Sequence, residues 1–167
     1  MQILDGKKIA WEILDELEKK IYTLSNPPTL GVVIVGEDPV SMSYISQKKK
    51  FAQQVGISFE LFQFSANITE SELVKEIQSL NRDSDISWYI VQLPLPDHID
   101  SRNIISAIDP KKDVDGFHPL NQGKEVIRDI TWFAPCTPAG IMKIFRYYDI
   151  ELQWKKVVVL GRSNIVG

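Results

Sequence analysis

The sequence predicts an α/β fold, in which a mainly parallel sheet forms the middle of a three-layer α-β-α arrangement. Short, almost continuously apolar runs alternate with longer segments of helical periodicity along the 167 residues. Apolar runs of this kind are typical of parallel strands that are covered on both faces. Strands that alternate with helices also require right-handed crossovers, which place helices on both faces of the sheet.

The N-terminal segment predicts a helix followed by a buried strand. Apolar residues recur at helical spacing over residues 6–24, where Asp5 can cap the first turn and "NPP" ends the helix. The run "TLGVVIVG", residues 29–36, shows no alternation of polar and apolar residues. We therefore expect a strand that is buried on both faces.

A second helix and a second strand follow. The helix is predicted within "EDPVSMSYISQKKKFAQQVG", residues 37–56, because Asp38 can cap it and Pro39 suits its first position. Gly56 can close its C-terminus. The run "ISFELFQF", residues 57–64, predicts the second strand.

The third helix is predicted in "TESELVKEIQSLN", where Thr69 and Glu72 occupy the positions of a capping box. "ISWYIVQL" then predicts a third strand, and "SRNIISAI" predicts a short helix. Residues 109–137 have no clean periodicity and contain many turn formers. A long segment of this kind is more often functional than idle.

The C-terminal segment predicts the beginning of a second α/β unit. "TPAGIMKIFRYYDI" has helical periodicity with Thr137 as its N-cap, and "KKVVVLG" predicts a final strand. The ending "VVVLGRSNIVG" is typical of a strand that leads into a phosphate-binding turn. We expect one complete domain over residues 1–137 and the first helix and strand of a Rossmann-type domain over residues 138–167.

Composition excludes several classes of function. The net charge is −3 and the pI is near 5.4, which argues against a large nucleic-acid surface. No apolar stretch approaches the length of a membrane span. The single cysteine excludes an internal disulfide, and no Cys/His cluster has the spacing of a zinc site. We expect no metal, no nucleic-acid or membrane partner, and a reducing cytoplasm.

Tyr44 and Lys48 form the first candidate pair. They are four residues apart on the second helix, so they share one face. A partly desolvated lysine can have a lowered pKa and exchange protons near neutral pH. The alternative is a half-buried tyrosine beside a solvated lysine. The same spacing occurs in short-chain dehydrogenases, but those enzymes carry a glycine-rich turn after the first strand, which this chain lacks.

Two further stretches offer polar side chains at predicted loop ends. Gln92 in "VQLPLP" ends a parallel strand, where open α/β sheets place ligands, although a plain polar strand end is the alternative. In "DVDGFHP", Gly116 permits a tight bend, and we expect Asp113 to be structural and Asp115 functional. Two carboxylates are too few for a calcium site. We expect Cys136 to be a small buried residue and not a nucleophile.

The motifs "YISQK", "VQLPLP", "KDVDGFHP", "PCTPAG" and "VVVLGRSNIVG" occur in this order. Together they resemble the bifunctional methylenetetrahydrofolate dehydrogenase/methenyltetrahydrofolate cyclohydrolase family over essentially the whole chain. The resemblance implies oxidation of 5,10-methylenetetrahydrofolate with NADP, or NAD in some members, and hydrolysis of the methenyl product to 10-formyltetrahydrofolate. It also implies a folate-binding catalytic domain over residues 1–137 and the beginning of an NAD(P)-binding domain over residues 138–167.

The resemblance implies a role for each candidate catalytic residue. Lys48 would be the essential acid/base group, and Tyr44 would pack against the folate and orient it. Gln92 would hydrogen-bond Lys48 and tune its protonation, and Asp115 would hold the pterin ring. The physical chemistry agrees, because a lysine that serves both steps needs a pKa well below about 10.4.

The resemblance also implies two sets of binding residues. The residues that contact the tetrahydrofolate substrate would be Tyr44, Gln92, Leu93, Pro94 and Asp115. The residues that contact the nucleotide would be Gly161, Arg162 and Ser163, with Arg162 placed for a phosphate.

Members of this family continue for about a hundred residues more, as a full doubly wound domain requires. We therefore expect the chain to stop at the start of the nucleotide domain and to lack dehydrogenase activity by itself. Members are homodimers largely through that domain, so we expect this chain to lack the usual dimer contact. Residues 138–167 should be partly disordered, packed on the first domain or paired with another chain. The alternative function is a fragment that binds folate without turnover.

Overall fold

The computed structural model describes residues 3–129 and 131–163. These ranges contain six α-helices and three β-strands. In chain order the elements are α1 (Gly6–Tyr22), β1 (Thr29–Val35), α2 (Pro39–Gln54), β2 (Ser58–Phe64), α3 (Glu70–Arg82), β3 (Trp88–Val91), α4 (Ser101–Ala107), α5 (Pro119–Val126) and α6 (Cys136–Tyr147). No helix within the described ranges is long and apolar enough to cross a membrane. Residues 164–167, the end of the predicted phosphate-binding turn, lie outside the described residues.

The three strands form one parallel sheet in the order β2-β1-β3. The first strand is central, and Val32 is opposite Leu61 on one side and Ile90 on the other. Because β1 has a neighbour on each side, both of its rows of backbone groups are paired. The predicted α/β fold with a mainly parallel sheet is confirmed.

Helices cover both faces of this sheet. Side chains alternate along β1, so Val33 and Val35 join a buried cluster that contains residues of α3 and α4, such as Leu73. The intervening Val32 packs on the other face in a cluster with Ile45 of α2. The central strand is therefore buried on both sides, as its continuous apolar run predicts.

Local signals at the helix starts act as predicted. The Asp5 carboxylate accepts hydrogen bonds from two backbone N–H groups of the first turn of α1. Asp38 accepts one from Ser41 N at 2.7 Å. Glu72 Oε2 accepts from Thr69 N at 2.9 Å, and Thr69 Oγ1 accepts from Glu72 N at 3.3 Å, which completes the capping box.

Two predictions in the irregular segment are wrong. Residues 119–126 form α5, which is short, with Pro119 at its first position and the His118 side chain accepting from Leu120 N at 3.0 Å. Thr137 is not an N-cap, because α6 already begins at Cys136 and Thr137 lies inside its first turn. Pro135 takes the N-cap position, and its carbonyl accepts the first helical hydrogen bond from Ala139 N at 3.1 Å.

The C-terminal segment packs against α1 through α6. Tyr147 Oη donates to Glu12 Oε1 at 2.9 Å, and Tyr148 Oη accepts from Asp5 N at 2.8 Å. The Lys8 ammonium lies 5.7 Å from the centre of the Tyr147 ring. These contacts join α6 to α1, which is the packed alternative among those we expected.

The predicted final strand is wrong. Residues 155–161 are described and contain no strand. Val158 is 82% exposed and Leu160 is 96% exposed. A strand needs a neighbour to accept its ladder of hydrogen bonds, and the described residues provide none beside this segment. High β-propensity alone therefore does not form the first strand of a Rossmann-type domain here.

Candidate functional site

The second helix places Lys48 against the end of the third strand. Lys48 Nζ donates a hydrogen bond to Gln92 Oε1 at 3.1 Å, across 44 residues of sequence. The lysine is half-buried, and burial lowers its pKa, while the negative charge of Asp115 acts in the opposite direction. The net result is a lysine that loses its proton more readily than a solvated one.

Gln92 follows β3 directly and is held at three points. Its backbone N–H donates to Val33 O at 2.8 Å, which continues the sheet by one residue. Its side-chain Nε2 donates to Leu93 O at 2.8 Å, so Oε1 is turned toward Lys48. The next peptide bond, Leu93–Pro94, is cis. The amide acceptor for the lysine is therefore held at the carboxyl end of a parallel strand, where α/β folds bind ligands.

The two aspartates of "DVDGFHP" differ sharply. Asp113 is 1% exposed and accepts hydrogen bonds from Phe117 N at 3.2 Å and His118 N at 2.8 Å. Asn121 Nδ2 gives it a third at 2.8 Å. Asp113 thus caps the turn that leads into α5, which is a structural task.

Gly116 brings the same loop against a distant part of the chain. Its φ of +70° lies in the left-handed region, and an added Cβ would overlap the carbonyl oxygen of Phe133. Beside this crossing, Cys136 Sγ donates to Val114 O at 3.8 Å. The start of α6 and the residues just before it therefore lie against the aspartate loop.

Asp115 is the second titratable group of the site. Burial raises its pKa to about 6, the Lys48 ammonium opposes the rise, and the Asp113 carboxylate adds to it. A carboxyl group of this kind exchanges its proton just below neutral pH. Lys48 and Asp115 thus have pKa values displaced toward each other, a pattern that is typical of functional sites.

Cys136 differs from the sequence expectation. The residue is exposed at the first position of α6, not buried. Partial burial of the sulfur and the Asp115 carboxylate raise the pKa of its thiol, so it stays protonated near neutral pH. That Cys136 is not a nucleophile stays a prediction.

The remaining predicted residues differ in how they are placed relative to Lys48 and Gln92. Tyr44 is 57% exposed, one helical turn before Lys48, so its ring is open to a ligand. Leu93 and Phe117 help to line a cleft of about 390 Å³ between α4 and α5, next to Gln92. In contrast, residues 161–163 are exposed and belong to no helix or strand.

One residue beside the site escaped the sequence analysis. Asn121, in α5, is 3% exposed, and its Nδ2 donates to Asp113 Oδ2 at 2.8 Å. The Pro119 helix-start signal marks α5, but eight residues are too few to show a clear period. No cluster of three His, Cys, Asp or Glu side chains suited to a metal occurs in the described part of the chain.

Two family models match the sequence. The tetrahydrofolate dehydrogenase/cyclohydrolase catalytic-domain model matches residues 4–115, and the model of the corresponding NAD(P)-binding domain matches residues 135–167. The bifunctional protein FolD of Nautilia profundicola is 46% identical over 170 residues, which cover 100% of this chain and 60% of the relative. FolD of Bacillus licheniformis is 48% identical, over 99% of this chain and 59% of the relative.

Solved structures give the same result. The chain superposes on the FolD methylenetetrahydrofolate dehydrogenase/cyclohydrolase of Campylobacter jejuni with a TM-score of 0.98 and 41% identity, over 100% of this chain and 60% of the other. For the Trypanosoma brucei enzyme complexed with NADP cofactor and inhibitor, the TM-score is 0.93 with 34% identity, over 99% and 58% of the two chains. The chain spans about 60% of the length of the relatives it matches.

Proposed function

The chain belongs to the tetrahydrofolate dehydrogenase/cyclohydrolase family, and from this membership we propose that the whole protein is a bifunctional one-carbon folate enzyme. It oxidises 5,10-methylenetetrahydrofolate to 5,10-methenyltetrahydrofolate and hydrolyses that product to 10-formyltetrahydrofolate. The observation that carries the proposal is the hydrogen bond from Lys48 Nζ to Gln92 Oε1, beside a carboxyl group whose pKa is raised to about 6.

Lys48 is the acid/base group of the hydrolysis. Water adds to the bridging carbon of the methenyl compound and must lose a proton, and a ring nitrogen must gain a proton when its bond to that carbon breaks. A lysine with a lowered pKa gives up its proton more readily than a solvated one, so Lys48 can accept the first proton and supply the second. In its neutral form it also does not repel the positive charge of the methenyl group.

The other predicted residues position the folate. Asp115 offers its carboxylate to the N–H edge of the pterin ring, in a partly buried place where a charged hydrogen bond is strong. Tyr44 packs its exposed ring on the substrate, and Leu93 and Pro94 form the wall that continues from Gln92. Their joint effect is to hold the one-carbon bridge beside Lys48.

The nucleotide site is not formed by the described residues. Gly161, Arg162 and Ser163 are exposed and follow a segment without a strand, whereas a dinucleotide site needs a strand, a tight turn and a helix N-terminus. In the whole protein these residues would contact NADP, or NAD, which accepts the hydride. We expect this chain to lack dehydrogenase activity by itself.

The decisive experiment measures the loss of 5,10-methenyltetrahydrofolate in a stopped assay. We expect this chain to hydrolyse it and Lys48→Met to be at least about 100-fold slower. Lys49→Met is the matched control, because Lys49 is exposed on the same helix, and it should retain the wild-type rate. Equal rates for Lys48→Met and the wild type would remove Lys48 from the mechanism.

Calorimetry with 5-formyltetrahydrofolate distinguishes the alternative. Binding without hydrolysis would make the chain a folate-binding fragment, a reading that the unformed nucleotide site favours. If the chain neither binds 5-formyltetrahydrofolate nor hydrolyses the methenyl compound, the proposed function of this chain is refuted.

We extend the proposal to organisation and location. The family-based division into a catalytic domain over residues 1–137 and a nucleotide domain from residue 138 stays a prediction. So does the homodimer that the family resemblance implies, which light scattering of the whole protein tests. A reducing cytoplasm suits a chain with one free cysteine.

A further inference from the structure

Asn121 occupies a place that the proposed chemistry does not by itself explain. It is 3% exposed, in the first turn of α5, and its Nδ2 donates two hydrogen bonds. One goes to Pro110 O at 2.9 Å and the other to Asp113 Oδ2 at 2.8 Å. The single amide group therefore ties together both ends of the turn that leads to Asp115.

The contacts of Asp113 extend this tie to the sheet. Asp113 pairs with Tyr89 in an isolated parallel bridge, and Tyr89 N donates to Lys112 O at 3.0 Å. The backbone of the loop is thus fixed on β3 while the Asp113 side chain is fixed by Asn121 and the start of α5. One residue separates this doubly held aspartate from Asp115, which leaves the Asp115 carboxyl little freedom of direction.

We propose that Asn121 is a positioning residue of the folate site, which acts through Asp113 to hold the Asp115 carboxyl beside Lys48 and toward the pterin ring. The catalytic part of this inference rests on the proposed function. The geometric part concerns only this chain's own side chains and is tested without substrate.

The alternative is that Asn121 merely stabilises the fold. A matched residue distinguishes the two roles. Asn81 Oδ1 accepts from Tyr89 Oη at 2.5 Å and from Asp109 N at 2.8 Å, and its Nδ2 donates to Ala107 O at 2.8 Å. Asn81 is therefore as richly bonded as Asn121, but it makes no hydrogen bond to Asp113.

The experiment compares Asn121→Leu with Asn81→Leu in the full chain. Carboxyl-13C-aspartate NMR gives the titration midpoint of Asp115, assigned by the signal that Asp115→Asn removes. The charged groups that act on this carboxyl are Lys48 and Asp113. Calorimetry with 5-formyltetrahydrofolate gives the affinity, and urea unfolding gives the stability.

We expect Asn121→Leu to lower the Asp115 midpoint from about 6 toward the ordinary value of 3.8, since the loop opens to solvent and the burial that raises the pKa of Asp115 is reduced. The affinity for 5-formyltetrahydrofolate should fall at least about tenfold, because the pterin contact is misplaced. Asn81→Leu should lose stability but keep the midpoint, and its affinity should stay within about twofold.

An unchanged midpoint and an unchanged affinity in Asn121→Leu would overturn the proposal and leave Asn121 a structural residue. If the wild type binds no folate, the proposed function fails, while the midpoints still decide whether Asn121 places Asp115. If Asn121→Leu does not fold, Asn121→Ser replaces it. The serine side chain is too short to bond both Pro110 O and Asp113 Oδ2, so Asn121→Ser must then lower the affinity more than Asn81→Leu does.

Discussion

Replacement of Asp115 by asparagine should stabilise the protein, by an amount that grows with pH. The pKa of Asp115 is about 6 in the folded state, against an ordinary value of 3.8. Because the folded state holds this proton more tightly than the unfolded state, ionisation of Asp115 favours unfolding. The cost is small below pH 4, increases as the pH rises through 6 and then becomes constant. Asp115→Asn removes this cost because an amide does not ionise.

The displaced pKa sets the size of the effect. A rise from 3.8 to about 6 corresponds to about 3 kcal/mol of unfolding free energy once both states are fully ionised, at pH 8. At pH 5 the unfolded state is mostly ionised and the folded state mostly protonated, and the cost is about 1.6 kcal/mol. The stability gained by Asp115→Asn should therefore be about 1.4 kcal/mol larger at pH 8 than at pH 5.

Urea unfolding followed by tryptophan fluorescence at several pH values between 5 and 8 measures this difference. Asp100→Asn is the control. The bonds of Asp100 to Arg102 lower the pKa of this exposed carboxyl, so it is ionised in both states throughout this range. The effect of Asp100→Asn on stability should not change between pH 5 and pH 8. A pH-independent effect of Asp115→Asn as well would refute the reasoning, because Asp115 would then have an ordinary pKa.

Other predictions follow from single contacts. Gln92→Leu removes the acceptor that favours the Lys48 ammonium, so hydrolysis of the methenyl compound should slow about tenfold or more. The basic limb of its pH–rate profile should also move to lower pH. An unchanged profile would show that Gln92 does not influence the protonation of Lys48. Gly116→Ala should lower the free energy of unfolding in urea by about 3 kcal/mol, because the φ of Gly116 is +70° and an added Cβ would meet a backbone carbonyl. Gly123→Ala should leave that free energy unchanged or raise it, because Gly123 lies on α5 with open space around it. Equal effects at the two glycines would contradict the described crossing. Thr69→Ala should cost about 1 kcal/mol of unfolding free energy through loss of the capping box, and no measurable loss would show that the cap is replaced by water.

Much of the fold follows from local signals in the sequence. The apolar run of β1, the caps Asp5 and Asp38 and the capping box at Thr69 act over a few residues, and the structure shows each where the pattern indicates it. The contact of Lys48 with Gln92 is predicted from the family resemblance, and the sequence pattern by itself places Gln92 only at the end of a parallel strand.

The features that escaped prediction depend on partners distant in sequence. The valines of residues 155–161 have high β-propensity, yet a strand forms only beside another strand. Asn121 lies in a helix of only eight residues. The role proposed for it depends on its hydrogen bond to Asp113, and only the folded loop brings these two side chains together. The pKa of Asp115 likewise depends on burial, and no spacing in the sequence shows that the neighbouring Gly116 packs against the backbone of residues 133–135.

The crossing of Gly116 over the Phe133 carbonyl sets a rule for making hybrid enzymes from this scaffold. The aspartate loop around Gly116 and residues 133–135 are far apart in sequence but packed against each other. Exchanging only one of these two segments would therefore place a foreign backbone against the aspartate loop. A splice to the nucleotide-binding half of a distant relative therefore belongs after Cys136, within the first turn of α6. Shortening or lengthening residues 131–135 would instead shift the Asp115 carboxyl group, which lies sixteen or more positions earlier in the chain.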